Sequence, residues 1–307
     1  MAETDRTASL MSPARLAQLK PKPATTPAAW LTQMAADAGH LHVNRILELG
    51  EVLKEQAAST ELPAVASGLE QLAAALPALD FSLLEPRGWW ARTSGKGRSS
   101  GAEFAAQFER IAQAGQSLSG VAQALVREQQ ADAAPAEHAL VELEAEYRAV
   151  EMIIDQGARW LQDMRSQLKA RQAAASDLQE QQAVLEDSQR CDILVTRLKL
   201  LRALCSAASQ VPGQARANAE RRAALAQTLQ QSLAGEIKDW HRRLSTLAAA
   251  ATAGKAPTLK LEGSIDAHQE LQVNVGKAVT ACEQLLAQEQ ALARSIAALG
   301  RQPVSPG

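Results

Sequence analysis

Apolar side chains recur every seven residues through the longest stretch of the chain that lacks proline. Between residues 136 and 211 there is one glycine, Gly157, and no proline. One set of positions seven apart comprises Leu140, Tyr147, Ile154, Leu161, Leu168 and Ala175. A companion set comprises Leu143, Val150, Gly157, Met164, Arg171, Leu178 and Leu185. A stripe kept up over several heptads is typical of long helices that pack as coiled coils.

The heptad pattern weakens where glutamine takes apolar positions. Because Gln182 and Gln189 interrupt the stripe, we predict a turn around residues 176–188. A new helix then carries Ile193, Leu194, Leu198, Leu201 and Cys205. Pro212 is expected to kink or break that helix, since proline lacks the amide hydrogen that the helix interior uses. An apolar helical face continues over residues 225–247.

Helical patterns also surround this stretch. Residues 29–80 read as an N-terminal helical segment whose apolar positions alternate spacings of three and four. Those positions are Leu62, Val65, Leu69, Leu72, Leu76 and Leu79. A further helix is predicted over residues 102–130 and a turn over residues 132–135, where Pro135 lies. Residues 252–263 are a predicted break, and the last helix is predicted over residues 265–299.

Together these patterns predict an all-α fold, an elongated bundle of long antiparallel helices with coiled-coil character, whose main part covers residues 103–299. Composition agrees, because aromatic residues, which strands favour, make up only 3% of the chain. Residues 1–28 hold four prolines among polar side chains, so we expect a disordered tail. Residues 300–307 are expected to be a second disordered tail.

Charge and cysteine content narrow the choice of function. Lys plus Arg is 32 and Asp plus Glu is 34, and a net charge of -2 argues against a nucleic-acid binder. The cysteines are Cys191, Cys205 and Cys282, an odd number without a CxxC pair, as in reduced cytosolic proteins. No secretory signal opens the sequence, and no apolar run reaches the roughly 20 residues of a membrane span. We therefore expect a cytoplasmic protein.

A basic segment with paired tryptophans is the most distinctive part of the sequence. Residues 81–102 contain four glycines and a proline, so we predict a loop there. Its candidate contact residues are Arg87, Trp89, Trp90, Arg92, Lys96 and Arg98. Three interpretations stay open: a connector whose tryptophans fold back on the bundle, a contact with an anionic membrane surface, or a site for an anionic partner.

Catalytic and metal-binding motifs are missing from the sequence. Gly95-Lys96-Gly97 does not have the spacing of a phosphate-binding loop. The histidines are His40, His42, His138, His241 and His268, and none shares a metal-ligand spacing with another ligand on one helix face. Cys191 is the best candidate for thiol chemistry, but no second cysteine lies near it to resolve an oxidised thiol. We predict no catalytic residue, no cofactor and no metal.

Three features resemble the toxic anion (tellurite) resistance protein family. The loop at residues 86–101 is rich in glycine, basic and aromatic residues, as in that family. Pro212, Arg216 and Trp240 match a helix with a proline, an arginine shortly after it and a tryptophan further on. A final heptad helix follows. The chain departs from the family pattern at residues 217–220, where a Gln/Asn-rich run is expected, and before Trp240, where the family has a proline.

The resemblance implies a function without catalysis. Proteins of that family act in resistance to tellurite, to other toxic anions and to envelope stress, and no catalytic residue can be carried over from them. We therefore expect a helical scaffold or interaction protein in the cytoplasm or at the inner face of the membrane. Its partners would be other proteins or further copies of itself. The alternative is a module that binds an anion or an anionic partner through the basic tryptophan loop.

Overall fold

The computed structural model describes residues 38–57, 59–85, 96–253 and 260–301, and of residues 56, 57 and 96–99 the backbone alone. Every element in this part of the chain is a helix, so the predicted all-α class is confirmed. The α-helices are α1 (His40–Ala57), α2 (Glu61–Ala75), α3 (Lys96–Ala174), α4 (Leu178–Ala208), α5 (Gln210–Gln227), α6 (Ala234–Thr252) and α7 (Glu262–Leu299). Short 3₁₀ helices cover Leu76–Ala78 and Phe81–Leu84, and a π-helical segment, Thr228–Leu233, joins α5 to α6.

Helix packing divides the chain into two compact units. The first unit contains the described residues of Met1–Ala57, Ala134–Ala215 and Ala291–Gly307. The second contains those of Ala58–Ala133 and Arg216–Gln290. Helices α3, α5 and α7 each contribute residues to both units. Antiparallel packing brings together stretches that are far apart in the sequence, which is why each unit draws on separate segments.

In the first unit α3 and α4 form an antiparallel pair. Near the turn between them, Arg171 Nη1 donates to Asp187 Oδ2 at 2.8 Å. Further from the turn, a Cβ atom on Gly157 would lie 3.0 Å from the methyl carbons of Leu198. The only glycine of the long heptad stretch therefore lies at a close contact between α3 and α4, and a side chain there would require Leu198 to shift.

The predicted heptad stripe forms much of the core of the first unit. Its buried members are Leu140, Leu143, Val150, Ile154, Leu161, Met164 and Leu168. Side chains from α1, α4 and the end of α7 complete this core. Polar contacts fix α1 against α3, because Arg45 Nε donates to Glu142 Oε1 at 2.7 Å and His42 Nδ1 lies 2.6 Å from Glu146 Oε2. The antiparallel arrangement expected from the sequence is thus found within this unit.

The second unit is also built from antiparallel neighbours. Glu128 on α3 accepts hydrogen bonds from the Ser59 hydroxyl at 2.6 Å and from the Thr60 amide at 2.8 Å, just before α2 begins. In the same unit, Arg222 on α5 pairs with Glu289 on α7, and both side chains are nearly buried. Burial raises the pKa of Glu289, and the Arg222 guanidinium opposes that rise. These polar contacts set the register of helices whose apolar faces alone would tolerate sliding.

Aromatic rings are concentrated in the second unit. The ring of Phe81 packs edge-on against Phe104 at a centroid distance of 5.8 Å, and Phe108 lies 5.4 Å from Trp240. The remaining core is aliphatic and comes from α2, α3, α5, the π-helical segment, α6 and α7. Rings at these distances add roughly 0.5–1.5 kcal/mol per pair beyond the area they bury.

The predicted turn at residues 132–135 is wrong. Helix α3 runs without a break from Lys96 to Ala174 and includes Pro135. A proline removes one backbone hydrogen bond, but alanines at 131, 133, 134 and 136 surround it, and alanine is the strongest helix former. The local helical preference outweighs the lost bond here.

The predicted turn at residues 176–188 is confirmed in place but is much shorter. Only residues 175–177 lie between α3 and α4. Asp177 Oδ1 accepts from the Glu180 amide at 2.7 Å, and Glu180 Oε2 accepts from the Ser176 amide at 2.9 Å. This cap satisfies the Glu180 amide, one of the amides that the first turn of a helix leaves open, and ties the preceding Ser176 amide to the Glu180 side chain, so α4 starts directly after the turn.

Helix boundaries elsewhere shift by a few residues. The loop predicted over residues 81–102 ends earlier, because α3 begins at Lys96. Pro212 lies in the first turn of α5, where a proline is tolerated, and the break falls before it at Ser209. The last helix begins at Glu262, three residues before the predicted start at residue 265. The predicted tail over residues 1–28 lies outside the described residues, as do residues 302–307.

Gly101 allows α3 to approach α6 closely in the second unit, and this generates a stability prediction. A Cβ atom on Gly101 would lie 2.3 Å from the Ala251 carbonyl oxygen, whereas a Cβ on Gly120 would meet nothing within 4 Å. Gly101→Ala should therefore lower the free energy of unfolding by about 1–3 kcal/mol, the usual cost of overpacking. Urea unfolding followed by circular dichroism measures this.

Gly120→Ala on the same helix is the matched control. It should raise the free energy of unfolding by about 0.5–1 kcal/mol, because alanine loses less backbone entropy than glycine on helix formation. Equal effects of the two substitutions would contradict the close packing of α3 on α6.

Candidate functional site

The basic tryptophan loop falls largely outside the described residues. This holds for Arg87, Trp89, Trp90 and Arg92. The backbone of Lys96 and Arg98 lies in the first turns of α3, and their side chains are outside the described part as well. The loop as a contact site therefore stays a prediction.

Pro212, Arg216 and Trp240, the positions that carry the family resemblance, lie on two helices. Pro212 is buried in the first turn of α5, and Arg216 lies half-buried one turn further along the same helix. Trp240 lies on α6 with 1% of its surface exposed. Trp240 is a core residue of the second unit, and its indole offers no free face to a ligand.

A buried histidine holds the Trp240 indole in place. Trp240 Nε1 donates to His268 Nδ1 at 3.1 Å, so Nδ1 must be unprotonated. His268 also hydrogen-bonds the backbone of Leu76, and the ring of Phe81 lies 5.5 Å away, edge-on. Burial lowers the pKa of His268, and the Leu76 hydrogen bond opposes this. The imidazole is thus held neutral, because protonation would remove the acceptor that Trp240 uses.

Among the grooves of the described residues, one between α3 and α4 in the first unit is lined by the most lysine and arginine side chains, and we call it the basic groove. Its volume is about 530 Å³, within the range of ligand-binding clefts. Apolar side chains of Ile154 and Leu161 on α3 and of Val195 and Leu198 on α4 line it. Its cations are Arg165, Lys169, Lys199 and Arg202.

The helical spacing of these cations places them in two pairs on either side of the groove. Arg165 and Lys169 are four residues apart on α3, and Lys199 and Arg202 are three apart on α4, so each pair shares one helix face. All four side chains are exposed. Asp192 lies 3.4 Å from Arg165, but none of the described residues lining the groove is acidic. The groove therefore combines an apolar floor with a positive rim.

The basic groove is not among the sites predicted from the sequence. Each cation pair is visible in the sequence as a polar helix face next to the heptad stripe. Nothing in the sequence alone says that residues 165–169 and 199–202 face the same groove, because that depends on the register in which α4 folds back on α3. The Arg171 to Asp187 contact fixes that register.

The cysteines are poorly placed for thiol chemistry. Cys191, Cys205 and Cys282 are all buried. Burial raises the pKa of Cys191, and it raises the pKa of Cys205 to about 12 and of Cys282 to about 11. A thiol that stays protonated and covered is a weak nucleophile.

Within the described residues, no group of three His, Cys, Asp or Glu side chains is arranged to hold a metal ion. None of the helices described is both long and apolar enough to cross a bilayer. No protein-family model, no curated protein and no solved structure matches this chain.

The environment of His268 predicts a pH-dependent stability. Its folded pKa lies below the ordinary value of 6.5, so the unfolded chain binds a proton more readily as the pH falls through that value. The free energy of unfolding should therefore decrease between pH 7.5 and pH 5.5. His268→Gln should show a smaller decrease, because glutamine can accept from Trp240 but does not titrate.

Urea unfolding at the two pH values measures the difference between the variants. His138→Gln serves as the control, because His138 is exposed on α3, and it should keep the wild-type dependence. A His268→Gln protein with the full wild-type decrease would contradict the assignment of a neutral, buried imidazole.

Proposed function

We propose that this chain is a non-enzymatic helical interaction protein that binds an acidic partner through the basic groove. The observation that carries the proposal is the combination of an apolar floor with four exposed cations and no lining carboxylate. Apolar contacts supply affinity in such sites, and the charges select the partner and speed its association.

An amphipathic helix with acidic flanks is the occupant that fits this groove. Two antiparallel helices with a row of apolar residues between them form a trough that a third helix can fill with its own apolar ridge. Glutamates or aspartates on either side of that ridge would then meet Arg165 and Lys169 on one rim and Lys199 and Arg202 on the other. A small inorganic oxyanion would use the cations but leave the apolar floor without a role.

The more specific functional assignment rests on the sequence resemblance alone. We propose a scaffold of the toxic anion (tellurite) resistance type that acts in a stress response, in the cytoplasm or at the inner face of the membrane. In this proposal the basic tryptophan loop is a second attachment point, for an anionic membrane surface or an anionic partner. Long helices with several contact surfaces support a scaffolding role over a single small-molecule site.

A designed peptide tests the groove directly. The probe is a fluorescent 21-residue peptide with leucine at heptad a and d positions and glutamate on both flanks. A second peptide of the same composition, with the order scrambled, keeps the charge but loses the apolar ridge. Fluorescence anisotropy should show binding of the first peptide and much weaker binding of the second.

Charge reversal identifies the binding surface. Lys169→Glu with Lys199→Glu should weaken peptide binding about tenfold or more, because two attractions become repulsions of roughly 1 kcal/mol each. The control, Arg110→Glu with Arg127→Glu, makes the same charge change at exposed positions of α3 in the second unit. Equal losses in both variants, or equal binding of both peptides, would contradict a specific groove.

Vesicles distinguish the membrane alternative. If the groove takes an acidic helix, vesicles with phosphatidylserine should not compete with the peptide, even at low salt. Competition that depends on Lys169 and Lys199 would show that the groove recognises a lipid surface instead and would contradict the proposal.

A further inference from the structure

Helix α4 carries an exposed row of apolar side chains on the side opposite its buried face. Leu178, Leu185 and Ile193 expose 85%, 52% and 41% of their surface, and Leu200 on the same side is half-buried. At 100° per residue these positions fall within roughly 80° of one another around the helix. We call this row, with the polar residues between its members, the α4 seam. Exposure of four large apolar side chains to water on one helix face is unfavourable unless another surface covers them.

The spacing of the α4 seam is symmetric about Gln189. The seam residues before Gln189 are Leu178, Gln182 and Leu185, and those after it are Ile193, Thr196 and Leu200. Neighbouring seam residues are four, three and four positions apart on each side of Gln189. If a second copy of α4 lies antiparallel across a two-fold axis at Gln189, Leu178 meets Leu200 and Leu185 meets Ile193. A two-fold interface requires such self-complementarity, because each residue of one copy must fit its counterpart in the other.

The polar members of the seam fit the same register. Gln182 of one copy would face Thr196 of the other, and the two Gln189 side chains would meet on the axis. An amide and a hydroxyl, or two amides, can hydrogen-bond to each other, so no polar layer is left facing an apolar one. Polar layers between paired helices fix their register and orientation at a cost in stability, and this seam would have three of them among seven layers.

Charge favours the antiparallel arrangement over the parallel one. Asp187 and Arg197 are buried on the core side of α4 and do not face a second copy. Outside the core, the first half of α4 carries three acids and one cation, whereas residues 193–208 carry two cations and no acid: Glu180, Glu186, Asp192 and Arg190, against Lys199 and Arg202. A parallel pair would place the acidic halves side by side. In the antiparallel pair, Glu186 of one copy and Arg190 of the other lie on the same side of the seam, and they are offset by two residues along the helix axis. Half of the Glu186 side chain is exposed.

We propose that two copies of this chain associate through the α4 seam, with the two α4 helices antiparallel and Gln189 on the two-fold axis. This deepens the proposed function, because α4 also forms one wall of the basic groove, and a dimer presents two grooves to a partner that has repeated acidic helices. Two linked sites bind such a partner more tightly than either one alone.

Sedimentation equilibrium of the full chain tests the assembly without any peptide. The wild-type protein should be a dimer, and Leu185→Glu should raise the dimer dissociation constant at least tenfold. Met152→Glu is the matched control, because Met152 is 53% exposed on α3 and away from the seam, and this variant should remain dimeric. Circular dichroism checks that both variants stay folded. A monomeric wild type, or a Leu185→Glu protein as dimeric as the control, would overturn the proposal.

Cross-linking with a short bis-maleimide tests the orientation, since the three native cysteines are buried. Gln189→Cys should cross-link to itself. Gln182→Cys should not, because the antiparallel register places the two positions about 21 Å apart along the helices. A mixture of Gln182→Cys and Thr196→Cys chains should give the cross-linked heterodimer. Self-cross-linking of Gln182→Cys as efficient as that of Gln189→Cys would show a parallel pair and overturn the register.

The two proposals fail in distinguishable ways. Loss of the dimer with peptide binding intact would refute the seam and leave the basic groove standing. A dimer that does not bind the peptide would refute the groove and leave the seam standing.

Discussion

The reversal of the chain at residues 175–177 is the constraint on which the first unit depends. The cap formed by Asp177 and Glu180 starts α4 immediately after the turn, and the Arg171 to Asp187 contact shows that α4 folds back along α3. Asp187, buried between Arg171 and Arg190, then fixes the register. In this register, one face of α4 packs into the core and a second face lines the basic groove. The face opposite the core forms the exposed α4 seam.

The sequence predicted the helical class and the inward face of α3 well, because both follow from local periodicity. The prediction was wrong where the heptad set was extended past the turn at residues 175–177. Leu178 and Leu185 keep the seven-residue spacing of the companion set, yet they lie on the outer face of a different helix, α4. The capping pattern from Asp177 to Glu180 is visible in the sequence and would have placed this boundary. Pro135 led to a predicted turn where none exists, because the alanines around it favour a helix that continues through the proline.

The candidate site could not be predicted, because it exists only in the packed structure. Lys169 and Lys199 are ordinary surface lysines in the sequence, and only the register of α3 against α4 makes them the two rims of one groove. Trp240 is the opposite case, a residue that the sequence suggests as functional and the structure places in the core. It stands out in the sequence as a rare aromatic residue, but it is a core side chain whose indole is held by His268.

A helical protein with few aromatic residues gains stability from many modest contacts, and polar side chains therefore set how its helices align. Such a protein has long helical surfaces, and we propose two of them, the basic groove and the α4 seam, as recognition surfaces. Both lie on α4, so partner binding and self-association would depend on the same helix. Two weak sites on one dimer suffice for a partner with repeated motifs.

Hydrogen exchange of the full chain, with and without the acidic amphipathic peptide, shows whether the basic groove takes an acidic helix. Added protection should fall on residues 154–169 of α3 and 195–202 of α4, which line the basic groove. The scrambled peptide should leave exchange unchanged. Protection by the amphipathic peptide confined to the second unit, or the same protection by both peptides, would show that the basic groove does not bind an acidic helix.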